Sequence, residues 1–163
     1  MADGDTHQPS VAPAGIMLGI GLGGFFDGIL LHQILQVHAM LSAKVPLDTM
    51  ANMKTNMTAD GLFHAATWLA TLIGVGLLWN TLNRHAAVRP SGVGLVGYML
   101  AGWGWFNLLE GVIDHHILNL HHVIQALGQS LWDWLFLLSG VVLVVVGHMI
   151  GRRAYREGYD VRT

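Results

Sequence analysis

A pattern of acids and histidines, written twice inside apolar segments long enough to cross a bilayer, constrains this chain more than any other feature. The stretch FFDGILLHQILQVHAM, Phe25 to Met40, returns 83 residues later within WFNLLEGVIDHHILNLHHV. Asp27-Gly28 recurs as Glu110-Gly111, His32 as His115, Gln36 as Asn119 and His38 as His121. The positions between them stay apolar in both copies, as in Ile29 with Val112, Ile34 with Ile117 and Leu35 with Leu118, so the register is no accident of composition. Hydrocarbon solvates charge poorly, and an ionisable side chain at such depth marks a function by default.

Of the 163 residues, 53% are hydrophobic and 11% charged, the mean hydropathy is +0.50, and the few charges cluster between long apolar runs. That is the composition of a membrane protein. The absence of cysteine excludes disulfides, thiolate metal sites and thiol chemistry, and a net charge of -2 leaves no basic surface for nucleic acid. Any metal must therefore be held by histidine, carboxylate, methionine or backbone. Residues 1–14, MADGDTHQPSVAPA, carry no Lys or Arg and read as a disordered tail rather than the basic start of a signal peptide, so the apolar run that follows is expected to stay in the mature protein.

Four spans are predicted, over about 15–41, 60–82, 93–118 and 131–151, against the ~20 residues that crossing requires, with a basic tail over 152–163. Gly19, Gly23, Gly24 and Gly28 give overlapping GxxxG spacings that let a neighbouring helix come close. The stretch from Ser42 to Ala59, with Pro46, Met50, Met53 and Met57, reads as a loop outside the membrane, and Asp60 as the N-cap of the second span. Leu62-Phe63 after Asp60 matches Leu135-Phe136 after Asp133, at an offset of 73. The expected fold class is all-α: an integral membrane four-helix bundle built from a tandem-duplicated helical hairpin, its halves related by an axis along the membrane normal. Six basic residues (Arg84, Arg89, Arg152, Arg153, Arg156, Arg162) fall on the side holding both termini and two (Lys44, Lys54) on the other. The positive-inside rule then puts both termini in the cytoplasm, with the chain in the bacterial inner (plasma) membrane.

With that topology, nearly all the acids and histidines of the spans share the outer half of the bilayer. The candidate metal ligands are Asp27, His32 and His38 in the first span, Asp60 and His64 in the second, and Glu110, Asp114, His115, His121 and His122 in the third; Asp133, at the start of the fourth, lies in the same layer without being counted as a ligand. At ~100° per residue, Glu110, Asp114 and His121 share one helix face and His115 and His122 another. His32 and His115, approached by Asp60 and His64, are expected to bind metal directly, while Asp27 and Glu110 bridge a metal pair or hold the imidazole N–H groups. Asp27 and His38 are ~16 Å apart along a straight helix. That spacing implies two sites at different depths, or one member of each pair standing behind the ligands or relaying protons. Imidazole with carboxylate suits zinc, iron, manganese or oxidised copper, and the methionines near His38 favour copper over iron or zinc. The same methionines also read as flexible apolar contacts on a surface loop.

The segments DGILLHQILQVHAML, DGLFHAATW, FNLLEGVIDHHILNLHHV and WDWLF resemble a family of bacterial four-span membrane proteins, domain of unknown function 2243, over about Gly15 to Gly151. The resemblance implies a four-helix integral membrane protein and brings no assigned activity. From the residues, the leading reading is a membrane metalloprotein, either a metal-dependent oxidoreductase or an outward-facing metal-handling protein. A b-type cytochrome with haem b between His32 and His115 is the alternative. It would leave Asp27, Asp60, Glu110 and Asp114 unexplained. A zinc-dependent hydrolase and an ion or proton carrier are further classes. The carrier lacks a path, because the inner halves of the spans hold no acid or base except His148. Expected partners are the lipid bilayer and either further copies of the chain or a respiratory or metal-handling membrane protein.

Overall fold

A computed structural model describes residues 10–84 and 90–160, with side chains to 156. Among the described residues the chain is all helical: α1 (Ala12–Phe26), α2 (Met50–Arg84), α3 (Gly92–Glu110) and α4 (Leu131–Asp160). Two of these change pitch without a break, α1 into a π-helix over Asp27–Ile34 and α3 into another over Gly111–Ile117. Most of the tail assigned to 1–14 lies outside the described residues, as do 85–89 and 161–163. The part of the basic tail within 152–160 continues α4.

Three helical stretches, Ala12–Ile34, Met50–Arg84 and Leu131–Arg156, are long and apolar enough to cross a membrane. Their outward faces carry large apolar side chains, among them Trp68, Leu72 and Trp79 on α2 and Leu138, Val142 and Val145 on α4. Water would not tolerate so continuous an apolar surface, whereas lipid does. α3 is the most enclosed element, and its glycines explain why. The helices pack in the order α2–α1–α3–α4, with α1 and α3 central and α2 and α4 on the flanks. A side chain at Gly19 would strike the Met99 carbonyl, and one at Gly102 the Ile16 carbonyl, so α1 and α3 approach backbone to backbone. Gly104 and Gly147 give α3 and α4 the same intimacy. Where lipid removes the hydrophobic drive for association, such contacts supply the attraction.

Element bounds differ from the expected ones in instructive places. The first helical run stops at Ile34 rather than 41, and the third at Ile117. Gln36 (φ 52°) and Asn119 (φ 48°) sit in the left-handed region, which ends a helix and turns the chain back. α2 begins at Met50, so the second half of the expected loop is helix. Asp60 therefore lies well inside α2 and is no N-cap. Met50, Met53 and Met57 stand exposed on the first turns of α2.

Candidate metal centre

The centre is built by the two π-helices and by the segments that follow them, 35–49 and 118–130, which fold back over the bundle as caps. On an α-helix, residues five apart diverge by ~140°. The i→i+5 turn of a π-helix instead brings them toward one face, and Asp27 with His32, and Glu110 with His115, are such pairs. In both halves the wide turn closes alike. Leu35 N–H donates to the Leu30 carbonyl (2.8 Å) and Leu118 N–H to Ile113 (2.7 Å); Val37 N–H then reaches Leu31 (3.1 Å) and Leu120 N–H reaches Asp114 (2.8 Å).

The caps are exchanged between halves. His38 Nδ1–H donates to the Val123 carbonyl (3.0 Å), and His121 Nδ1–H to the Met40 carbonyl (3.0 Å). Ala43 N–H bonds Leu120 O (2.9 Å) and Gln125 N–H bonds Val37 O (3.0 Å), so the caps pair with each other by backbone. Two carboxylates pin them from below: Asp60 accepts from Met40 N–H (2.8 Å) and Asp133 from Val123 N–H (3.1 Å). These same carboxylates orient the remaining rings. His32 Nδ1 is 2.9 Å from Asp60 Oδ1, and His115 Nδ1 is 3.2 Å from Asp133 Oδ1 in a less well-aligned contact.

Because a carbonyl or carboxylate oxygen can only accept, His32, His38 and His121 each carry a proton on Nδ1 and turn Nε2 inward. The rings pack in sequence, with His32 to His38 at 4.5 Å between centroids, His38 stacked on His121 at 4.6 Å, and His121 to His115 at 4.8 Å. Asp27 Oδ2 lies 2.9 Å from His32 Nε2 and 3.8 Å from His38 Nε2, and Glu110 Oε1 lies 3.6 Å from His121 Nε2. None of these inward atoms has a hydrogen-bond partner, and all six residues are buried. Donors at 2.0–2.2 Å from a common ion and at right angles to one another are about 3 Å apart. His32/His38/His121, Glu110/His115/His121 and Asp27/His32/Glu110 each bring their donor atoms within 4.8 Å of one another. Burial drives the His121 imidazole, in the cap, down to about 3, so it stays neutral and able to ligate at any ordinary pH.

The other expected ligands stand apart. His64 donates Nδ1–H to its own helix at Asp60 O (2.7 Å) and turns Nε2 toward Gly28, where a side chain would collide with it. Asp114 sits at the mouth of a cleft beside Glu110. His122 Nδ1 lies 3.5 Å from Asp133 Oδ1, behind His115. Asp27 and His38 converge to 3.8 Å between side chains despite their eleven-residue separation, because the chain between them is not a straight helix. Asp133 is the orienting group not counted among the ligands from sequence, although its match to Asp60 was visible there.

Asp60→Asn and Asp133→Asn, by removing the negative charge that faces Nδ1 of His32 and of His115, are each expected to weaken metal binding by roughly 10- to 100-fold. Metal titration of the two variants should give similar losses, since the positions are equivalent; a loss at only one would break the equivalence.

A family model described as "Predicted membrane protein (DUF2243)" matches residues 14–154. No curated protein and no solved structure matches the chain.

Proposed function

The chain belongs to the DUF2243 family of predicted membrane proteins, and from that premise we propose an integral membrane metalloprotein, a duplicated helical hairpin that holds two first-row transition-metal ions. One ion would take Asp27, His32 and His38, the other Glu110, His115 and His121, with the two carboxylates between them. The observation that carries this reading is the set of unpartnered donors. Three imidazoles, His32, His38 and His121, are anchored at Nδ1, which leaves their Nε2 atoms and the Asp27 and Glu110 carboxyls turned inward without hydrogen-bond partners, and His115 stands beside them. Metal-ligating histidines are held in this way. Two carboxyl groups whose oxygens come within 4.8 Å of one another in such a site also repel when both are ionised, and their ion pairs among the described residues are with histidine. A bound dication relieves that repulsion.

Enclosure favours a resident cofactor over a transported cargo, because the exchanged caps close the centre from the aqueous side. A redox-active membrane enzyme fits best. Nitrogen and oxygen donors without sulfur suit iron, manganese, zinc or oxidised copper. The preference for copper rested on Met50, Met53 and Met57, which stand exposed on α2. Haem b is disfavoured because the His121 ring stands between those of His32 and His115. The proposal extends to the bacterial plasma membrane with cytoplasmic termini, and to a membrane redox or metal-handling partner or a second copy of the chain. Elemental analysis of the purified protein tests the centre: about two equivalents of metal per chain and no Soret band are expected. One equivalent would refute the pair, and none would refute the centre.

A further inference from the structure

The packing order α2–α1–α3–α4 leaves two clefts closed only by side chains. One, of about 300 Å³, lies over α1, α2 and α3 and reaches Glu110 between Phe63, Phe106 and Asp114. The other, of about 270 Å³, lies over α1, α3 and α4 and reaches Asp27 between Phe26, Trp103 and Phe136, with Asn107 and Ser139 in its lining. The repeat relates them: Phe26 and Asp27 correspond to Leu109 and Glu110, and Phe136 corresponds to Phe63. Both open on the apolar flanks of the bundle.

Their polar content differs. Ser139 Oγ–H donates to the Phe136 carbonyl (2.6 Å), so its oxygen accepts from Asn107 Nδ2 (2.9 Å), and this chain fixes the orientation of the amide. Asn107 Oδ1 is left as a buried acceptor without a partner. The equivalent positions in the other cleft are Gly24 and Ala66, so the fold does not need the polar pair. An unpaired buried acceptor costs about 1–3 kcal/mol, and a ligand hydroxyl would satisfy it.

We propose that the α1/α3/α4 cleft binds the hydroxylated aromatic ring of a membrane-soluble ligand, a quinol headgroup, entering from the lipid and donating its hydroxyl to Asn107 Oδ1 beside Asp27. The volume suits a single ring, below the ~300–1,000 Å³ of drug-sized sites. Phe26 and Trp103, 5.0 Å apart and tilted by 51°, with Phe136, supply aromatic walls of the kind a flat ring packs against. As a binding site this stands without the metal; as the entry for a substrate it rests on the metal reading.

The test uses the full chain in lipid nanodiscs, titrated with a methyl-substituted benzoquinol, its dimethyl ether and a saturated cyclohexanediol, with metal content measured on the same samples. The quinol is expected to bind about tenfold tighter than the ether, which cannot donate, and tighter than the diol. Asn107→Leu should abolish the preference and leave metal content unchanged; Ser139→Ala, a milder change, should reduce it. Equal binding of quinol and ether, or a preference that survives Asn107→Leu, overturns the assignment to Asn107, and equal binding of the diol overturns the aromatic ring. Metal without quinol preference defeats this inference alone, and quinol preference without metal defeats the metal reading alone.

Discussion

Asp27→Asn combined with Glu110→Gln is expected to strip the purified protein of metal while leaving its helices in place. The two amides keep the shape of the carboxyls but remove both anionic donors from a site whose other donors are imidazoles. The loss should exceed the roughly 10- to 100-fold seen when a residue behind a ligand is changed. A second readout separates this from simple damage. Without metal, the wild-type carboxyl pair must either repel or take up a proton, a cost that the amides do not carry, so the metal-free variant should unfold at a higher temperature than the metal-free wild type. With metal supplied, the order should reverse. Unchanged metal content in the double variant would make Asp27 and Glu110 packing or proton-carrying groups.

His121→Ala should be nearly as damaging, because His121 contributes to two of the three donor groups and its Nδ1–H anchors the first cap through Met40. Metal loss is expected together with faster amide exchange over residues 37–43, whose backbone pairs with the second cap. The matching control is His64→Leu. The second half of the chain has Leu137 at the corresponding position, against Gly111 as His64 lies against Gly28. Metal content should not change there, and a loss equal to that of His121→Ala would relocate the centre.

How much of this was legible in the sequence depends on what local geometry each inference assumed. The repeat announced the donors, and their equivalence survives in the paired hydrogen bonds of the turns and caps, while His115 lacks the aligned bond to Asp133 that His32 makes to Asp60. Depth and facing failed where they rested on a straight α-helix. The clue was a polar spacing of five, Asp27 to His32 and Glu110 to His115, which no 3.6-residue period accommodates but a π-turn does. Asn119 also hinted at the reversal, since asparagine enters the left-handed region more readily than most residues. α2 was started ten residues late because Asp60 resembled a cap, although nothing from Met50 to Ala59 is a glycine or proline that would stop a helix. Asn107 was invisible as anything but a polar residue in a span: its significance lies in which of its two amide atoms Ser139 leaves unpaired.

The crossed anchoring of the caps also sets an order of events during synthesis. His38 finds its acceptor at Val123, 85 residues further along the chain, so a ribosome that has delivered only the first hairpin to the membrane has made a histidine whose tautomer nothing yet determines. Neither half can mature early and wait for the other. On the proposed metal reading, loading would belong at the end of biogenesis, after the last helix is in place, and a chain truncated after α2 should emerge as an empty hairpin instead of half a centre.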